Sequence, residues 1–274
     1  MLVDAIAAER FRLLRDRSAL FWGFVFAPLV GFFLNLGGDL FLRGVIKRPM
    51  PGLTIDLTGQ VLKALGEGAS VMAALFLMIG AASVLAGDYR WETWRLRTPR
   101  NSRLNLLAAK LIVIGEALLW TLVLTVVLTL AAAVIGAGIN SKAIVLSATG
   151  SGLGQVAGVF LVTWLEAMSL VALAACVAVV ARSPMAAVVV CLIVRFVESI
   201  LASTLGALAP APTWKSLLIP AYDADLLRGF VGAPSHAGLD AGPAGWALLA
   251  LIGWIVALTA GAIVLFQRQD LTRE

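Results

Sequence analysis

Six stretches of the chain stay apolar long enough to cross a hydrocarbon core as helix, which takes about 20 residues: 19–41, 69–86, 104–137, 153–181, 185–208 and 244–266. The second is short, and the third is long enough to tilt strongly or protrude. Pro28 in the first predicts a kink. Ahead of them, Val3, Ile6, Ala7, Phe11, Leu13 and Leu14 recur at near-helical spacing, with Asp4, Glu9, Arg12, Arg15 and Asp16 mainly on the other side. That pattern predicts an amphipathic helix over 1–18, lying in the membrane interface. Arg10 and Arg17 fall within its apolar stripe and have to snorkel to water. The whole reads as an all-α integral membrane protein, with residues 1–274 forming one transmembrane domain.

The polar breaks between these stretches differ in kind. Residues 43–53 form a Pro/Gly-bearing loop, and 209–243 form a connection of unusual length, within which 214–219 and 222–231 suit short interfacial or re-entrant helices. Its alternative is a solvated cap over the bundle. Gly150, Gly154 and Gly158, four apart at the start of the fourth stretch, permit close helix contact.

Composition sharpens the assignment. Hydrophobic residues make up 61% of the chain and charged residues 14%, with a mean hydropathy of +0.96, an excess that no single aqueous core of this length can hide. The net charge of +5 is carried mostly beside the apolar runs, which points to topology and anionic headgroups and away from nucleic acid. With the N-terminus inside, twelve Lys/Arg fall in inner segments against seven in outer ones. The bias predicts both termini in the cytoplasm, with Arg43, Lys47 and Arg48 running against it. Cys176 and Cys191 lack CxxC spacing and read as small apolar side chains.

Charge at mid-membrane is costly, so the few ionisable residues inside the spans are the first candidates for function. They are Glu116 in the third span, Glu166 in the fourth, and Arg195 with Glu198 in the fifth. Arg195 and Glu198 share a helix face and can pair. These four read either as the polar lining of a translocation path, or as headgroup-level carboxylates beside a structural pair. His236, alone in the long connection, makes a poor metal or acid–base centre. No GxxxxGK[ST] phosphate loop occurs, so any ATP-driven work is powered from another chain.

Residues 87–103, between the second and third spans, are dense in Arg and Trp. Such a bridge belongs at the cytoplasmic face, and its Arg and aromatic side chains are typical anchors of protein interfaces. In order and spacing, Asp88, Tyr89, Arg90, Trp91, Thr93, Trp94, Arg95, Ser102, Arg103 and Lys110 resemble the loop between the second and third spans of type-two ATP-binding-cassette (ABC) exporter permeases. The ending Phe266-Gln267-Arg268-Gln269-Asp270-Leu271 is similar to that family's Arg-Asp-Leu tail. Asp88 stands in place of the more usual Glu, and Glu92 where Gly is common. The resemblance implies a half-transporter in the plasma (inner) membrane: two permease copies form the path, and separate cytoplasmic ATPase subunits hold ATP and Mg, leaving no cofactor on this chain. It also implies that the loop is a coupling helix, with Asp88, Tyr89, Arg90, Trp91, Glu92, Thr93, Trp94, Arg95, Arg100 and Arg103 as coupling residues. The alternatives are an ion-coupled secondary transporter using Glu116, Glu166 and Arg195, and a non-transporting membrane scaffold.

Overall fold

The computed structural model describes residues 2–41, 44, 54–90, 102–147, 152–208, 213–232 and 244–269. Among them six helices are long and apolar enough to cross a membrane, and the chain is an all-α, multi-pass membrane protein. We number the helices α1 (Leu2–Arg15), α2 (Arg17–Phe41), α3 (Leu57–Gly66), α4 (Val71–Arg90), α5 (Arg103–Asn140), α6 (Leu153–Ala181), α7 (Pro184–Leu208), α8 (Pro220–Phe230) and α9 (Ala244–Arg268). The six spans are α2, α4, α5, α6, α7 and α9. Two short strands, β1 (Thr54–Asp56) and β2 (Ala143–Val145), pair in parallel with Ile55 opposite Ile144. They join the connection after α2 to the one after α5, so both lie at the end of the bundle opposite α1.

Local chemistry sets the boundaries. Ser102 is extended and accepts from Asn105 N, capping α5, while Asp56 accepts from Gly59 N and caps α3. Pro220 stands at the first position of α8, where its missing N–H costs nothing. At their C-termini, α5 and α6 stop on Ser141 and Arg182, both left-handed with φ 52°.

α6 is the central span, packed against α4, α5, α7 and α9 and against the two short helices α3 and α8. The main apolar core runs through α4, α5 and α6, with Met78, Ala81, Ile114, Val171 and Ala174 all sealed from the exterior. α3 buries Val61, Leu62 and Leu65 against Leu122 and Val159. Residues 57–66, which carried no assigned element in the sequence reading, therefore form a helix inserted against the bundle. The short helices expected within 214–219 and 222–231 appear as a 3-10 turn (Ser216–Leu218) and α8.

The first span shows how the bundle absorbs a proline. The helix continues through Pro28, and its irregularity is a π-helical turn at Phe21–Val25. Pro28 has no N–H to donate to Phe24 O. The Thr121 hydroxyl of α5 lies 3.0 Å from that carbonyl and 2.9 Å from Ala117 O, and it is shared between them. Neighbouring hydroxyls replace lost backbone donors in this way where water is absent. In the same turn Gly23 meets Gly80 of α4 so closely that a Cβ on Gly23 would lie 2.4 Å from Gly80 Cα. The expected glycine contact at 150–158 is of another kind. Among the described residues a Cβ on Gly154 would meet nothing within 4 Å, one on Gly158 would run into Val231 just beyond α8 instead of another span, and Gly150 lies outside the described residues.

Thr121→Val removes the donor to Phe24 O. It is expected to lower stability by about 1 kcal/mol, nearer the interhelical hydrogen bonds of membranes than the penalty in aqueous cores. Thermal unfolding of the purified protein in detergent measures this, with Thr125→Val as the comparison because Thr125 donates only within its own helix.

Candidate functional site

Among the described residues two buried charged centres sit in the bundle, one at the α1 end and one at mid-depth. At the α1 end, four side chains from three helices alternate in sign. Asp88 of α4 lies 2.9 Å from Arg12 Nη2 and 2.9 Å from Lys110 Nζ of α5. Glu9 of α1 accepts from Arg12 Nη1 at 2.9 and 3.1 Å and lies 3.8 Å from Lys110. Lys110 also donates to Val84 O. Asp88 and Lys110 are wholly buried, and Glu9 is 4% exposed. Two carboxylates and two cations make a neutral ring, the arrangement in which buried charge is tolerable. Burial pushes the Arg12 pKa down, but Asp88 and Glu9 outweigh it and raise the value, so the guanidinium stays charged.

This corrects the reading of the first helix. Its packed face is Ala5, Glu9 and Leu13, while Val3, Phe11 and Leu14 are exposed. Of the charged residues assigned to water, Glu9 and Arg12 turn inward because the bundle supplies their partners, while Asp4, Arg15 and Asp16 stay exposed. Arg10, expected to snorkel, instead donates to Glu116 from Nε at 3.0 Å and Nη2 at 2.6 Å. Glu116 is thus one third exposed and paired at the flank of α5, with a side-chain exposure of 34%.

The Arg/Trp stretch is rooted beside this ring. α4 continues to Arg90, so Asp88 and Tyr89 close the second span instead of opening the loop. Tyr89 Oη donates to Gln269 Oε1 at 2.9 Å, and Gln269 Nε2 donates to Val179 O of α6 at 3.1 Å. Arg103 Nη1 donates to Phe266 O, Gln267 O and Gln269 O at 3.0, 3.1 and 2.6 Å. A cation thereby caps the C-terminal carbonyls of α9, where the helix dipole favours it. Both flanks of the stretch are fastened to the last span. Trp91, Glu92, Thr93, Trp94, Arg95 and Arg100 lie outside the described residues, as do His236, Asp270 and Leu271.

The second centre forms around Glu166 of α6, 1% exposed. Arg228 of α8 donates to its Oε2, and Arg195 Nη1 of α7 lies 2.7 Å from Oε1 without the alignment of a hydrogen bond. Arg195 is farther from Glu198, at 3.8 Å, so the expected i,i+3 pair is secondary to the one across helices. Thr163, one turn before Glu166, donates to Leu65 O at the end of α3 and accepts from Arg228 Nη2. Asp223 of α8 is wholly buried, its carboxylate oxygens have no hydrogen-bond partner among the described residues, and it is within electrostatic reach of Glu198.

The model of a protein family described as "Protein of unknown function (DUF2705)" matches residues 55–272. The chain belongs to that family. No curated protein matches it. The DUF2705 match takes in β1 from Ile55, α3 and everything from α4 to α9, so Asp88, Lys110, Glu166, Arg195 and Arg228 fall within it. Glu9, Arg10 and Arg12 fall outside it.

Of the four intramembrane candidates, the structure brings together Glu166, Arg195 and Glu198 and leaves Glu116 apart. Arg228, Asp223 and Thr163 at one centre, and Lys110, Glu9 and Arg12 at the other, are polar residues that the sequence does not single out as site members. Arg228 counts there as a residue of an outer loop, whereas it is 6% exposed within the bundle. The available signal was the helical spacing of Tyr222, Asp223, Leu226 and Leu227 behind Pro220.

Truncating one partner of a buried pair strands the other, at about 3–5 kcal/mol. Asp88→Ala is expected to lose that much stability and to free α1, read as lowered thermal midpoint and as new proteolysis after Arg10 or Arg12. Arg228→Ala is expected to be similarly costly, and adding Glu166→Gln to it should recover part of the loss. A strictly additive pair in that cycle counts against direct coupling.

Proposed function

We propose that the chain is the membrane-spanning permease subunit of an ATP-driven exporter of the ABC type, working as two copies with a separate cytoplasmic ATPase. The observation that carries this reading is the rooting of the Arg/Trp stretch. Tyr89 and Arg103, which flank this stretch in the sequence, both bind the C-terminal end of α9, and Asp88, next to Tyr89, is a member of the Glu9–Arg12–Asp88–Lys110 ring. A partner gripping that stretch therefore pulls on α4, α5 and α9 at once, and through α1 on Glu116. That is the mechanical requirement for passing a nucleotide-driven change into the spans.

In this reading both termini are cytoplasmic, and α1 lies along the inner face with Phe11 and Leu14 toward lipid. Asp88, Lys110 and Arg103 are positioning residues, because their side chains are engaged inside the chain. Arg90, Trp91, Glu92, Thr93, Trp94, Arg95 and Arg100 make the contact with the ATPase. The Glu166 centre is the joint between α6, α7 and the inserted α8, at the depth where a path between two copies would run. No phosphate loop is needed on this chain.

The test is co-purification. Arg90→Glu combined with Arg95→Glu is expected to abolish recovery of a nucleotide-hydrolysing subunit with the membrane-extracted protein. Arg103→Ala is expected to keep that subunit and lower ATP-dependent transport. Wild-type recovery with the double variant contradicts the docking assignment. Transport in vesicles that follows an ion gradient and continues without ATP contradicts the exporter reading and favours an ion-coupled carrier.

A further inference from the structure

Between α2, α3, the start of α4 and α5 lies a cavity of about 630 Å³, within the roughly 300–1,000 Å³ typical of small-molecule sites. Its walls differ in chemistry. α3 turns Val61, Leu62 and Leu65 into the core, and at the spacing i, i+3, i+7 it and the turn after it present Gln60, Lys63 and Glu67 to the cavity. These three side chains are exposed, and among the described residues neither Lys63 nor Glu67 has an ion-pair partner. Facing them, α2 and α4 contribute Ala27, Val30 and Phe76. One wall thus offers a cation and an anion about a helical turn apart, and the opposite wall is mainly hydrocarbon, with Asn35 of α2 its polar member and Thr121, Thr125 and Thr129 of α5 alongside.

A soluble polar molecule leaves the apolar wall without a partner, and an alkane makes no use of Lys63 and Glu67. The occupant has to carry both characters. We propose that this cavity binds an amphiphile with an apolar chain and a zwitterionic headgroup bearing phosphate and amine. The chain lies along Ala27, Val30 and Phe76, Lys63 meets the phosphate, and Glu67 meets the ammonium. That the amphiphile is exported rests on the permease reading, whereas its binding does not.

The full-length protein is purified in detergent without any ATPase and exposed to a phosphatidylethanolamine carrying a photoactivatable group on one acyl chain, and the adducts are mapped by peptide mass spectrometry. Adducts are expected to concentrate on α2 and α4 at the cavity. They should fall about tenfold, the equivalent of about 1.4 kcal/mol, with Ala73→Trp, which fills the space, and with Lys63→Glu. Val256→Trp, on an exposed face of α9, should leave them unchanged. Adducts spread evenly over the exposed spans, or unaltered by Ala73→Trp, overturn the proposal. In the wild-type protein, unlabelled phosphatidylethanolamine should displace the probe and diacylglycerol of the same chains should not. Equal displacement by both overturns the headgroup assignment, even if the Trp variant does not fold. Because no ATPase is present, failure here leaves the exporter reading intact, and failure of co-purification leaves this result intact.

Discussion

A carboxyl group deep in a lipid-embedded bundle is costly to bury unless cations are brought to it, and Glu166 draws two from two helices. That requirement explains the least expected part of the fold. Arg228 belongs to the connection between the fifth and sixth spans, and it reaches Glu166 only because α8 folds into the bundle. Once there, Pro220 to Arg228 are all buried, with Tyr222, Leu226 and Leu227 joining Ala247 and Leu251 of α9 in a core of their own. α3 is held at the same node by the Thr163 hydroxyl, which donates to Leu65 O in its last turn. Both inserted helices are thus fastened to one stretch of α6.

The ring at the α1 end obeys the same rule. In each centre ion pairs run between helices, Arg12 and Lys110 to Asp88 in one and Arg195 and Arg228 to Glu166 in the other, so they help decide which helices stay together. A buried ion pair adds little against a well-packed apolar substitute, yet losing one member is severe. Such centres select one arrangement of largely featureless apolar surfaces, where Leu, Val and Ala alone leave many packings close in energy.

The spans were legible in the sequence because lipid demands long apolar runs and self-satisfied backbone. Their observed limits fall within a few residues of those read from hydropathy. The charged partners were less legible, for a definite reason. Hydropathy places Arg228 and Asp223 outside, since a polar residue in a Pro/Gly-rich connection is ordinarily solvated. Likewise Glu9 and Arg12 look like the wet side of an amphipathic helix when the buried cation and anion awaiting them lie 76 and more residues away. Asp88 and Lys110 carried a signal through the resemblance of the loop, but not that they would face each other in the interior. Glu166 and Arg195 stood out by sign and depth, while their pairing across α6 and α7 is a matter of rotation about the helix axis, which composition does not encode.

α5 has 38 residues and no proline, so at 1.5 Å per residue it is about 57 Å long, nearly twice a hydrocarbon core of about 30 Å. Lys110 and Glu116 hang from one part of this beam. At the far tip Asn140 grips Asp39 at 2.9 Å, and β2 follows at once. A lever of that length pivoted at one tip swings the other by about 5 Å for a tilt of about 5°. A small tilt at the α1 end of this helix is therefore an enlarged displacement at its far end, where β1 and β2 pair.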